Sequence, residues 1–196
     1  MKKLISFWVV LVMMVAVGLP SSQAQTRYVL DGEQELAVLG TSTIHSWEMV
    51  TYEAAGSGLF WLKGDKIERV ENLTVSLEAS SLESGKGRIM DRNARRALKV
   101  EEHPQITFKL DSIAEDETGQ SQAHGQLTAA GFTRAITFRI DYSIENDVIE
   151  LRARTSLKMT DFEIEPPVAL AGTLRTGDAV SLDMVLSFKA STEKLD

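Results

Sequence analysis

The chain has 196 residues, 43% of them hydrophobic, with no cysteine, three histidines and a formal charge of -7. That length suits one domain or two small ones and is enough to bury a real core. Zero cysteine excludes disulfide scaffolds, thiolate metal sites, cysteine nucleophiles and lipidated-cysteine anchors. Three scattered histidines leave little room for a His-rich metal centre, and the acidic balance argues against nucleic acid, whose phosphates call for Lys and Arg.

In chain order, residues 1–24 read as an export signal. Lys2 and Lys3 form a basic start, Leu4 to Leu19 is apolar apart from Ser6 and Gly18, and Pro20 breaks the run. Ser22-Gln23-Ala24 then places small residues at the -3 and -1 positions of a cleavage site. The competing reading is an uncleaved anchor, but the 16-residue run from Leu4 to Leu19 falls short of the roughly 20 that span a bilayer. Without the leader, Lys+Arg falls from 21 to 19 while Asp+Glu stays at 28, leaving -9. Export without disulfides fits a bacterial envelope, so the expected location is the periplasm or the medium. Residues 25–196 are then expected to form a single domain.

Alternation of apolar and polar residues dominates the rest of the chain. Short strands are predicted at Tyr28 to Leu30, Glu35 to Gly40, Ser46 to Tyr52 and Ser57 to Leu62. Leu73, Val75, Leu77 and Ala79 then share a face opposite Thr74, Ser76 and Glu78. Gly85 to Lys99 breaks the period: Met90, Ala94 and Leu98 recur at helical spacing with Ile89 and Ala97 beside them. Beyond it, Ile106, Phe108 and Leu110 alternate with charged and hydroxyl residues, and Gln122 to Thr128 gives a shorter run. Ile136, Phe138, Ile140, Tyr142 and Ile144 share one face; so do Ile149, Leu151 and Ala153, and Val180, Leu182, Met184, Leu186 and Phe188. Strands with one dry and one wet face are the antiparallel signature. Turn residues such as Gly64-Asp65, Asp116 to Gly119, Gly131 and Asn146-Asp147 separate them, pointing to a sandwich or an up-and-down barrel. An outer-membrane barrel also alternates, but it needs aromatic girdles and an uncharged outer face. Here aromatics are 7% and the wet faces carry Arg139, Asp141, Glu150, Arg152 and Arg154.

The predicted helix is basic. Lys86, Arg88, Arg92, Arg95, Arg96 and Lys99 against Asp91 give residues 86–99 a charge of +5, so the rest of the chain without its leader carries -14. Such a run is ordinarily a solvated face. The sharper alternative is a lid that meets an anionic membrane surface, its apolar stripe closing a greasy mouth.

No catalytic constellation emerges. G-x-S-x-G, G-x-G-x-x-G and phosphate-loop patterns are missing, and every strand keeps its acids on the face opposite its apolar residues. No cofactor and no enzyme activity are expected. Asn72-Leu73-Thr74 matches a glycosylation acceptor but falls within a strand. His103 is expected exposed at the helix-to-strand junction, and His124 on a wet face. His45 shares a face with Trp47 and Met49 and is either a structural histidine or a polar contact for a ligand head group.

Four stretches resemble the YceI-like family of exported bacterial proteins. Gly40-Thr41-Ser42-Thr43-Ile44-His45-Ser46-Trp47 is similar to its Gly-Thr-Ser-Thr-Leu-His-Asp-Trp signature. His103-Pro104-Gln105-Ile106-Thr107-Phe108-Lys109 resembles its Tyr-Pro-x-Ile-Thr-Phe-Lys run. Gly125-Gln126-Leu127-Thr128 with Gly131-Phe132-Thr133-Arg134 resembles its Gly-x-Leu-Thr-x-x-Gly-Val-Thr-Arg hairpin. Met159-Thr160-Asp161-Phe162-Glu163-Ile164-Glu165-Pro166-Pro167, with Gly172, Gly177-Asp178 and Val180, is similar to its C-terminal block. The resemblance runs from about Tyr28 to Phe188. The chain departs from the pattern at Ser46 and His103, and no histidine lies between His45 and His103. The resemblance implies an all-β, lipocalin-like antiparallel barrel of about eight strands, holding a polyisoprenoid or isoprenoid-quinone-like lipid.

On that reading the cavity lining comprises Trp47, Phe60, Leu73, Val75 and Leu77 from the first half of the chain. Ile106, Phe108, Leu127, Ile136, Phe138 and Ile140 come next, then Leu151, Leu182 and Leu186. His45, Ile89, Met90 and Leu98 are expected at the mouth or lid. The partner would be an isoprenoid lipid, with contact to an anionic membrane through residues 86–99; a dimer is open. The alternative is a barrel filled by its own side chains, acting through its acidic surface as an envelope interaction or scaffold module.

Overall fold

The computed structural model describes residues 25–191; the predicted export signal lies outside them. The first strand, β1 (Thr26–Ser42), unites two runs that the sequence suggested were separate. After it come β2 (Ser46–Thr51), β3 (Ala55–Lys63) and β4 (Lys66–Glu78), a 3-10 turn (Ala79–Ser81) and one helix, α1 (Arg88–Ala97). The chain continues through β5 (Gln105–Glu115), β6 (Ser121–Ala129), β7 (Phe132–Glu145) and β8 (Val148–Lys158). A second 3-10 turn (Met159–Phe162), the two-residue β9 (Val168–Ala169) and β10 (Leu174–Ala190) complete the order.

Every ladder is antiparallel, and neighbours keep chain order from β3 through β8 to β10, which pairs back onto β1. Strands β2 and β3 occupy one staircase position: β2 pairs with the second half of β1 (Leu36↔Thr51) and β3 with the first (Thr26↔Phe60). Counting them as one stave and setting aside β9 leaves a closed barrel of eight staves. Closure pairs most of the strand edges that would otherwise template aggregation.

Tight turns set the register. Asn146 and Asp147 both have positive φ (50° and 61°), the geometry of a two-residue hairpin turn whose twist matches its strands. Ala130 and Gly131 do the same between β6 and β7. Gly131 is also a close approach, since a Cβ there would meet the His103 ring at 2.5 Å. His103 is therefore half-buried against this hairpin rather than exposed. His124 stands on the outer face as expected and meets Thr137 Oγ1 at 2.9 Å.

Inward residues form three clusters along the barrel. At the end carrying the β7–β8 hairpin, Tyr28, Phe60 and Phe188 stack edge-on or tilted, with ring centroids 5.2 and 5.8 Å apart. In the middle, Phe138, Ile140, Ala123 and Ala153 face one another. At the opposite end Leu127, Met159, Phe162, Ile164 and Val180 gather beneath Ala97 and Leu98 at the end of the helix. Outer faces carry the charges, including the two-pronged pairing of Arg154 with Asp183 (2.7 and 3.0 Å).

Candidate functional site

The interior is not filled. A cavity of about 500 Å³ runs through it, within the range of small-molecule sites. Along β10 its wall extends from Thr176 through Val180, Leu182, Met184 and Leu186 to Phe188. At about 3.3 Å per residue this is roughly 40 Å of strand, or about 30 Å along the axis of a barrel tilted near 40°. So modest a volume over that length is a narrow tunnel, suited to an extended chain rather than a compact ring.

Trp47, Leu73, Val75, Leu77, Ile106 and Phe108 line this tunnel, as expected from their shared parity. So do Leu127, Phe138, Ile140, Leu151, Leu182 and Leu186. Two expected lining residues do not. Phe60 is 2% exposed and belongs to the aromatic layer with Tyr28 and Phe188, which plugs the far end. Alternation gives the face of a side chain and not its depth along the axis. Ile136 stands beside a separate groove with Arg134, Thr137, Ser156 and Asp161. The β7–β8 ladder stops at Arg139↔Arg154, and Leu157 and Phe162 stand between that groove and the tunnel.

The lining also contains residues beyond those expected from the sequence. Ala153 and Met184 have the right parity in runs already recognised, so that signal was present. Met159, Phe162 and Ile164 come from the 3-10 turn and the link after it, where neither period applies.

Polar lining residues gather at one end. Ser42, His45, Lys86, Asn93 and Thr176 join Ile89, Met90 and Leu98 there, so all four expected mouth residues border the opening. The His45 ring sets its own tautomer: Nδ1 lies 2.9 Å from the Ser46 carbonyl, which can only accept, so Nδ1 carries the hydrogen. In the neutral ring Nε2 is then an acceptor. Trp47 is fixed as a wall: its Nε1 donates to the Thr41 carbonyl at 3.0 Å and its ring lies against Gly40, where a Cβ would be 2.1 Å from it.

Helix α1 closes over this end with Met90, Asn93, Ala94 and Ala97 turned to the cavity, while Arg88, Arg92, Arg95 and Arg96 stay exposed. Asp91 ties it down, accepting from the Ser84 backbone N–H (2.9 Å) and hydroxyl (2.7 Å). These bonds, the backbone one foremost, hold the Asp91 carboxyl below the usual aspartate range. On the other flank Arg95 donates to the Ser80 carbonyl at 3.1 Å. Among the described residues no side-chain cluster has the makings of a metal site.

A closed antiparallel barrel with an apolar tunnel and a polar mouth defines a lipocalin-like barrel by its architecture. The chain belongs to the YceI-like family: the YceI-like domain matches residues 28–188. None of the curated proteins matches it. Among solved structures, BcnA of Burkholderia cenocepacia is similar at 13% identity and a TM-score of 0.67, covering 79% of this chain and 95% of its own. A polyisoprenoid binding domain from Saccharophagus degradans, implicated in plant cell wall breakdown, is similar at 15% identity and a TM-score of 0.59, covering 84% and 98%. The YCEI protein of Campylobacter jejuni is similar at 13% identity and a TM-score of 0.57, covering 96% and 100%. At such identities these likenesses speak to the fold.

Proposed function

We propose that this protein holds an isoprenoid lipid in its barrel, tail inward and head group at the mouth, and carries or stores it in the bacterial cell envelope. The observation that carries the reading is the narrow tunnel of about 500 Å³, apolar along its length and polar at one end. A polyprenyl tail has no hydrogen-bonding groups, so such walls desolvate it without stranding protein polar atoms. Each five-carbon unit transferred from water contributes about 4 kcal/mol gross, at about 0.8 kcal/mol per carbon. Ordering the flexible tail offsets part of this. The structural likeness to a polyisoprenoid binding domain supports the choice of tail, and the leader-like residues 1–24 support the location.

The alternative, a filled barrel acting only through its acidic skin, has the open tunnel against it. Native mass spectrometry of the protein purified from its own cells separates the two. A bound polyprenyl species, released on unfolding, is the expected result. Protein that emerges empty and takes up no added polyprenyl lipid would overturn the reading.

A further inference from the structure

Three chain segments meet around the mouth. Thr43 donates from its backbone to the Arg175 carbonyl (3.0 Å) and from its hydroxyl to the Thr173 carbonyl (3.2 Å), joining the β1–β2 loop to the start of β10. On the other side of that loop Lys86 Nζ lies 3.5 Å from the Ser46 carbonyl, joining it to the segment before α1. Beside these junctions three large apolar side chains stand in water: Ile44 in the loop is 69% exposed, Ile89 in the first turn of α1 69%, and Val168 of β9, paired with Arg175, 56%. A lone exposed apolar residue needs no explanation, but three beside segments that meet at one mouth are what a contact surface offers.

Cations stand on two sides of this rim. Arg92 and Arg96, three and seven residues beyond Ile89, lie on the same side of α1, and Arg88 precedes it. Arg175 sits opposite Val168 in the β9–β10 ladder. Elsewhere the charge is opposite: outside residues 86–99 the chain without its leader carries -14. Met90, Ala94 and Ala97 of α1 are committed to the cavity, whereas Ile89 at its edge stays largely in water and is free to meet a partner.

Resting on the lipid-holding reading and naming the surface that loads it, we propose that the protein docks mouth-first on an anionic lipid bilayer. Ile44, Ile89 and Val168 enter the head-group layer between the arginines of α1 and Arg175. The acidic remainder is repelled by the same surface, which fixes the orientation and aims the tunnel at the source of its lipid.

Flotation of the purified protein with phosphatidylcholine vesicles, with and without phosphatidylglycerol, tests this. Binding is expected only with phosphatidylglycerol, and it should weaken as salt is raised. Replacing Arg88, Arg92 and Arg96 together by Gln should lower vesicle affinity on the order of 100-fold, at about fivefold per cation. Ile44→Ser with Val168→Ser should lower it about tenfold or more while leaving the thermal midpoint unchanged, since both side chains stand in water. Absence of wild-type binding, equal binding to both vesicles, or capture of a soluble protein by this rim in place of vesicles would overturn the proposal. Uptake of a fluorescent geranylgeranyl probe without vesicles is measured alongside. Uptake without docking sinks the docking surface alone, and docking without uptake sinks the lipid-holding reading.

Discussion

Ala153→Phe separates an open tunnel from a packed core. Ala153 is 5% exposed, faces Ile140 and Met184 across its two ladders, and lines the cavity at mid-depth. In a filled barrel a phenyl ring there is overpacking and costs about 1–3 kcal/mol. In the open tunnel the ring enters empty space among Phe138, Leu182 and their neighbours, and filling a void stabilises by about 0.5–2 kcal/mol. The same ring occupies the place of about one isoprene unit, worth about 4 kcal/mol gross and about 3 kcal/mol after tail ordering. Polyprenyl affinity should therefore drop on the order of 100-fold. Urea unfolding of the lipid-free variant and titration with a geranylgeranyl probe measure the two effects. Stability unchanged or raised with affinity lost is the expected pair. Lost stability with affinity retained would refute the tunnel.

Other predictions bear on the walls, the plug and the lid. Gly40→Ala places a methyl 2.1 Å from the Trp47 ring, so it should displace the indole, break its bond to the Thr41 carbonyl and cost about 2–4 kcal/mol; unshifted tryptophan emission would contradict this. Phe60→Ala should lower stability by about 3–5 kcal/mol through the Tyr28–Phe188 plug, read as a lower urea midpoint. The lowered Asp91 pKa means that its clamp on Ser84 is fully present above the ordinary aspartate value. Its contribution is lost as pH falls from about 4 toward that lowered value, so Asp91→Asn should flatten the acid side of the thermal-midpoint profile. A profile with unchanged slope would show the clamp to be idle.

Faces were legible in the sequence, and distances along the axis were not. A two-residue period states that Phe60 and Phe138 both point inward; only strand register shows that one plugs an end and the other walls the tunnel. The predicted break between Leu30 and Glu35 is a bulge around Gly32 within one long strand, because β1 bends there to exchange β3 for β2 as its neighbour. Ile136 packs inward against two of the core clusters yet borders the groove beside the unpaired ends of β7 and β8, a gap that alternation within a single strand does not report. The mouth was half legible. His45 and the helix announced themselves by type and period, whereas Thr176 and the exposed Ile44 and Val168 gain meaning only when three distant segments close into one rim.

The most direct measurement is the dissociation constant of prenyl alcohols as a function of chain length, from two isoprene units upward. Side chains that leave a greasy tube vacant predict tighter binding with each added unit until the aromatic plug is reached, then a plateau. Affinity that is weak and indifferent to length would contradict a lipid-holding tunnel.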